Sequence, residues 1–143
     1  MSFTTCLIVM TGGAFGTLAR YAISTLAMPV SRELPWGTII INMTGSFLIG
    51  FFGTLTLAQG RYPVSEGLRM FVMVGFCGGY TTFSAFSLQS LDLLRGGAFG
   101  RAAINIAASL ILSIGAVAVG HLGAARLNGG AVGIAQIVGE EEG

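Results

Sequence analysis

Charge is scarce in this sequence. Its 143 residues include no lysine, seven arginines, six acids and one histidine, so charged residues make up 9% of the chain. An ordinary soluble domain carries about 25%. Hydrophobic residues are 53%, and the mean hydropathy is +0.81. Together these exclude a soluble globular enzyme, a disordered chain and a nucleic-acid binder, and they point to a membrane protein. A net charge of +1 leaves no basic patch for a phosphate backbone. Cysteine is also scarce. Cys6 and Cys77 both lie in apolar stretches, so there is no disulfide framework, and their spacing fits no zinc motif. Carboxylates are missing from the apolar stretches, apart from Asp92 near the end of one. Proton-coupled export of cations generally relies on a buried carboxylate, so this absence speaks against that class.

What is present is long and apolar. Residues 36–57, 70–91 and 102–122 are uncharged, and each has 21 or 22 residues. About 20 are needed to cross the hydrocarbon core. Residues 3–28 are interrupted only by Arg20. That stretch is too long for a signal-peptide core and lacks a basic flank, so it reads as a retained first span. Four helices use most of the chain and leave no room for a soluble catalytic domain. The expected division is a transmembrane unit over 1–124 and a Gly-rich tail over 125–143. The tail ends in three glutamates and reads as disordered. No internal repeat is visible, and two halves of two spans each would share one orientation.

Loop arginines normally set orientation. Arg61, Arg69 and Arg126 fall on the side of the N-terminus, and Arg32, Arg95 and Arg101 on the other, three against three. One reading is that a single dominant helix sets the orientation. The other is dual topology, which permits an antiparallel homodimer with the inverted symmetry that many transporters build by internal repeat.

Three polar features lie at membrane depth. Thr38, Asn42 and Ser46 share one face of the second span at i, i+4, i+8, and Asn105, Ser109 and Ser113 do the same on the fourth. Such stripes serve either as glue between helices or as the wall of a wet path. A buried amide needs partners in either case. The third feature is Gly75-Phe-Cys-Gly-Gly-Tyr-Thr-Thr-Phe-Ser-Ala-Phe-Ser87. Adjacent glycines and threonines are poor helix formers, so a break is expected at about 78–82, against the plainer alternative of a kink or helix crossing. Irregular backbone at this depth must be buried in protein or line water. The carbonyl end of the first half would suit a cation. Phe83 and Phe86 share a face beyond the break, and ring edges are electropositive; in most spans such a pair simply packs. Arg20, the only fixed charge deep in a span, is expensive in lipid and is expected to face protein or water.

These motifs resemble those of the Fluc (CrcB-type) fluoride channels over almost the whole chain except the tail. The match is carried by Gly12-Gly13-Ala14-Phe15-Gly16 through Arg20-Tyr21, by Trp36-Gly37-Thr38 with Asn42, and by Gly78-Gly79-Tyr80-Thr81-Thr82-Phe83-Ser84. The resemblance implies an all-α membrane protein with four transmembrane helices per subunit, the third broken at its centre. It implies an antiparallel, dual-topology homodimer in the bilayer of the bacterial inner membrane. The implied activity is passive export of fluoride, without enzyme chemistry or organic cofactor. By position it assigns a structural Na+ ion to the main-chain carbonyls of Gly78 and Thr81. It assigns the anion path to Asn42, Phe83, Phe86 and Ser109; the polar faces and the run beyond the break add Thr38, Asn105, Ser113 and Ser84 as candidates, with Arg20 as a candidate electrostatic contributor. Ala85 and Asn105 depart from the family, which commonly has Thr and Tyr there. The rivals are a small multidrug-type four-helix exporter, which needs a membrane glutamate absent from the first span, and a non-transporting assembly subunit.

Overall fold

Chain that enters hydrocarbon must satisfy its own N–H and C=O groups, and helices do so within one segment. The computed structural model describes residues 2–130, and the regular structure among them is entirely helical. Helix α1 spans Phe3–Leu26, a short 3-10 turn Met28–Val30 follows, and α2 spans Trp36–Leu55. The third apolar stretch is composite. It opens with α3 at Glu66–Arg69, widens into a π-helical segment at Met70–Cys77 and tightens to α4 at Gly78–Tyr80. Thr81 and Thr82 are extended, and α5 runs over Phe83–Arg95. The last helix, α6, is Phe99–Leu127. Four stretches are long and apolar enough to cross a membrane: Phe3–Leu26, Trp36–Leu55, Glu66–Arg95 and Phe99–Leu127. Large apolar side chains such as Leu18, Ile111 and Ile114 point outward along them, as a lipid-facing surface requires.

Glycines set the two main helix contacts. A Cβ on Gly12 would run into the Phe71 carbonyl oxygen, and one on Gly16 into that of Phe76. From the other side, a Cβ on Gly75 would lie 2.8 Å from Val9 O, and one on Gly79 2.5 Å from Gly13 O. Helix α1 therefore packs on the π segment and α4 backbone against backbone, the close approach that small residues allow in membranes. Gly50 and Gly120 do the same between α2 and α6, where a Cβ on either would lie 2.5 Å from a carbonyl oxygen of the other helix. These contacts correct one expectation. Gly78 and Gly79 do not interrupt the helix, since both lie in α4, and Gly78 has φ −64° and ψ −39°. Only Thr81 (φ −78°, ψ 160°) and Thr82 (φ −153°, ψ 112°) leave helical geometry.

The boundary of the expected tail also moves. Ala124 is fully buried, and the Asn128 amide donates to the carbonyls of Thr54 (2.9 Å) and Leu55 (3.3 Å) while accepting from the Arg61 N–H. Arg69 donates to Gly53 O at 3.0 Å and to Thr56 Oγ1 at 2.7 Å. Helix ends leave four carbonyls without intrahelical donors, and these side chains supply donors for the end of α2. Residues 125–128 thus belong to the helical body; residues 131–143 of the expected tail lie outside the described residues. At the opposite end, Arg101 pairs with Glu33 at 2.9 Å. Exposed pairs of this kind contribute at most about 1 kcal/mol.

Candidate functional site

The interruption at Thr81–Thr82 is held from three sides. The Asn42 amide on α2 donates from Nδ2 to Thr82 O (3.0 Å) and accepts at Oδ1 from the Thr82 N–H (2.8 Å). The Thr82 hydroxyl accepts from the Ala85 N–H at 3.1 Å and so caps α5. The Tyr80 hydroxyl, on a side chain that is almost wholly buried, meets Thr44 Oγ1 at 2.8 Å. On the α1 side, an Arg20 guanidinium nitrogen lies 3.5 Å from Thr81 O. Arg20 thus faces protein, and its half-buried side chain is spent on a main-chain carbonyl.

Next to the interruption is a cavity of about 520 Å³. Asn42 and Ser46 line it from α2, Phe83 and Phe86 from α5, and Ser109 and Ser113 from α6. Gly78 and Thr81 border it as well. The two phenylalanine rings have centroids 5.4 Å apart and planes tilted by 51°. Phe86 is 9% exposed, whereas Phe83 is 75% exposed. A second cavity, of about 500 Å³, holds Thr38 together with Gln89, Asp92 and Arg32. The polar stripe of α2 is therefore divided, with Asn42 and Ser46 on one cavity and Thr38 on the other.

The seam between α5 and α6 joins these two regions. Asn105 lines neither cavity as the stripe on α6 would have it. It is 1% exposed and donates to Ser90 Oγ at 2.9 Å, and Ser90 in turn donates to Phe86 O. Among the described residues, three buried side-chain atoms lack a partner: Gln89 Oε1, Asn105 Oδ1 and Ser109 Oγ. All three belong to this seam, and each unmatched polar atom costs about 1–3 kcal/mol. Ser84 is exposed, and its hydroxyl meets that of Thr82 at 3.3 Å instead of bonding a preceding helical turn. No cluster of His, Cys, Asp or Glu suited to a metal occurs among the described residues.

A family model described as "CrcB-like protein, Camphor Resistance (CrcB)" matches residues 7–121. The chain belongs to the CrcB family. It is 68% identical over 143 residues to a protein of Methylobacterium radiotolerans named "Fluoride-specific ion channel FluC", covering 100% of both chains. It is 69% identical over 143 residues to a protein of the same name from Gluconobacter oxydans, with 99% of each chain covered. A third protein of that name, from Methylocella silvestris, is 50% identical over 123 residues, covering 85% of this chain and 94% of its own. Four membrane-length helices in a CrcB chain make it a multi-pass membrane protein.

Some residues around these cavities are not singled out by the sequence pattern. Gln89 and Ser90 follow Phe86 at i+3 and i+4 and so share its face, a signal present but unused. Met73 and Cys77 line the first cavity through the π segment, whose wider turn has no simple sequence period. The partnership of Tyr80 with Thr44 needed the fold to be seen.

Proposed function

We propose that this chain is a fluoride-selective channel that exports cytoplasmic fluoride passively and protects the cell from it. The observation that carries this is the convergence of Asn42, Ser109, Ser113, Phe83 and Phe86 on one cavity at the start of α5. The first turn of a helix has N–H groups with no intrahelical acceptor, and its partial positive charge favours an anion. Here those groups belong to Phe83 and Ser84, and Ser109, whose buried hydroxyl has no partner, lines the same cavity. Tilted rings add electropositive edges. Donors of this kind replace the water lost by a small anion without holding it too firmly to leave. The unpartnered atoms of Gln89 and Asn105 extend the polar route toward the second cavity, where Thr38 lies. Arg20 raises the local potential, and Ser84 adds a hydroxyl at the mouth of α5.

The working unit in this reading is an antiparallel, dual-topology homodimer in the bacterial inner membrane. Phe83 is 75% exposed in the subunit, and a Cβ on Gly78 would meet nothing within 4 Å. An inverted copy would cover both and complete the cavity wall. The third span is then a helix broken at membrane depth, with α3, the π segment and α4 as one half and α5 as the other.

A structural Na+ at Gly78 and Thr81 fits the hydrogen bonding. In a continuous helix the Thr82 N–H would donate to Gly78 O, and the Ala85 N–H to Thr81 O. Both donors are diverted, to Asn42 Oδ1 and Thr82 Oγ1 respectively. The Gly78 carbonyl is thereby left open and the Thr81 carbonyl keeps only the bond from Arg20; both are hard oxygen ligands suited to a hard ion, which would supply positive charge to hold two such breaks together.

The test is efflux from liposomes that contain only this chain, loaded with potassium fluoride and followed with a fluoride electrode. Release that begins when a potassium ionophore removes the charge imbalance supports the proposal. Release no faster than from empty liposomes rejects it.

A further inference from the structure

We propose that Asn42 is a positioning residue: its side-chain amide clamps the Thr82 main chain in extended form and thereby keeps the Gly78 and Thr81 carbonyls free of helical hydrogen bonds. This goes beyond a place for Asn42 in the anion path, and the clamp itself stands whether or not the chain conducts fluoride.

The geometry is that of a strand pair with one strand replaced by a side chain. Two antiparallel residues exchange an N–H···O bond in each direction. Asn42 exchanges the same pair with Thr82, accepting at 2.8 Å and donating at 3.0 Å. Thr82 has the matching extended backbone, φ −153° and ψ 112°. The α2 backbone is committed to its own helix, so only a side chain can do this. It must present one donor and one acceptor in a fixed plane at short reach. Asparagine meets that need; aspartate lacks the donor, and serine cannot reach both groups at once.

Two consequences follow from the same clamp. Holding the Thr82 N–H draws it away from Gly78 O. Holding Thr82 extended also places its hydroxyl to take the Ala85 N–H, which draws that group away from Thr81 O. One side chain on α2 therefore governs both openings. Neighbouring contacts fit the surface of α2 to the interruption: Tyr80 Oη meets Thr44 Oγ1, and a Cβ on Gly45 would collide with the Thr81 methyl group. The second N–H of the Asn42 amide remains available to the cavity that Asn42 lines, so clamping and anion contact are compatible.

The experiment is NMR of the full chain with 13C,15N-threonine in lipid bilayers, the Thr82 signals being assigned by their loss in Thr82→Ser. The parent is expected to show Thr82 Cα and Cβ shifts of extended backbone. Asn42→Ala is expected to move them toward helical values. Ser109→Ala lines the same cavity without touching Thr82 and is expected to leave them in place. Asn42→Asp preserves the shape and serves if the alanine variant does not fold. It keeps the acceptor and loses the donor, so the Thr82 carbonyl 13C signal should shift while the Thr82 15N signal stays. Unmoved Thr82 signals in Asn42→Ala, or an unmoved carbonyl signal in Asn42→Asp, would overturn the proposal. That result with fluoride release abolished would leave Asn42 an anion ligand only.

Discussion

Gly78 and Gly79 are adjacent, identical in chemistry and both helical, yet the structure assigns them opposite tolerance to a methyl group. A Cβ on Gly79 would sit 2.5 Å from Gly13 O and 3.0 Å from Gly13 Cα, where ordinary contact begins at 3.4 Å. The obstacle is main chain and cannot rotate aside, so α1 and α4 would have to separate by most of an ångström. Overpacking of this kind costs about 1–3 kcal/mol, and a rigid obstacle places it in the upper part of that range. Better helix propensity returns about 0.8–1.0 kcal/mol, leaving Gly79→Ala about 2 kcal/mol less stable than the parent. A Cβ on Gly78 meets nothing within 4 Å, so within the subunit Gly78→Ala keeps the propensity gain and ends up to about 1 kcal/mol more stable. The neighbours should therefore differ by roughly 3 kcal/mol. Unfolding in mixed micelles, dilute enough to separate subunits, can be followed by the fluorescence of Trp36, the single tryptophan. If Gly79→Ala proves as stable as Gly78→Ala, the backbone-to-backbone contact of α1 with α4 is wrong.

Three further outcomes follow from the site. Phe83→Ile and Phe86→Ile keep bulk but remove the ring edges, and each should cut fluoride release severely in liposomes. Because Phe83 is exposed and Phe86 buried in the subunit, only Phe86→Ile should also lower subunit stability, by about 1 kcal/mol; parental release from both variants would make the rings packing residues. Ser109→Ala removes a buried hydroxyl that has no partner, so it should leave stability unchanged or raise it by about 1 kcal/mol while slowing release. A loss of stability above about 1 kcal/mol in that variant would show that the hydroxyl is bonded within the protein. Reporter fusions at the C-terminus should find both orientations, and lysines added to one side should fix one orientation and reduce assembly; a conducting form with a single orientation would defeat dual topology.

The four spans were legible because hydropathy and length decide them, but their ends were not. The third begins at Glu66, where the Ser65 hydroxyl accepts from the Leu68 N–H, and runs to Arg95. Polar helical turns at either end are invisible to a search for uncharged runs. The glycines and threonines of the third span look equally disruptive in sequence. Glycines 78 and 79 were expected to weaken the helix, whereas they let α1 approach and let the Gly78 face stay open, and the threonines alone depart from it. A helical glycine at a crossing and a glycine at a break look alike in sequence. The polar stripes fall on two of the helices that line the first cavity, but they do not tell which neighbour each residue meets. Asn42 and Ser109 reach the first cavity, while Asn105 turns to Ser90 and Thr38 to the second cavity, because crossing angles decide which partner each residue meets. Asn128 was assigned to a tail, and only the fold shows it completing the end of α2.

The central claim is that this chain passes fluoride and excludes larger halides without coupling to another ion. The direct test is the reversal potential of the purified chain in a planar bilayer, with concentrated fluoride on one side, dilute fluoride on the other, and chloride added to the dilute side. The reversal potential is expected to be fixed by the fluoride gradient and unmoved when the chloride concentration is changed. A reversal potential that follows chloride would contradict the claim.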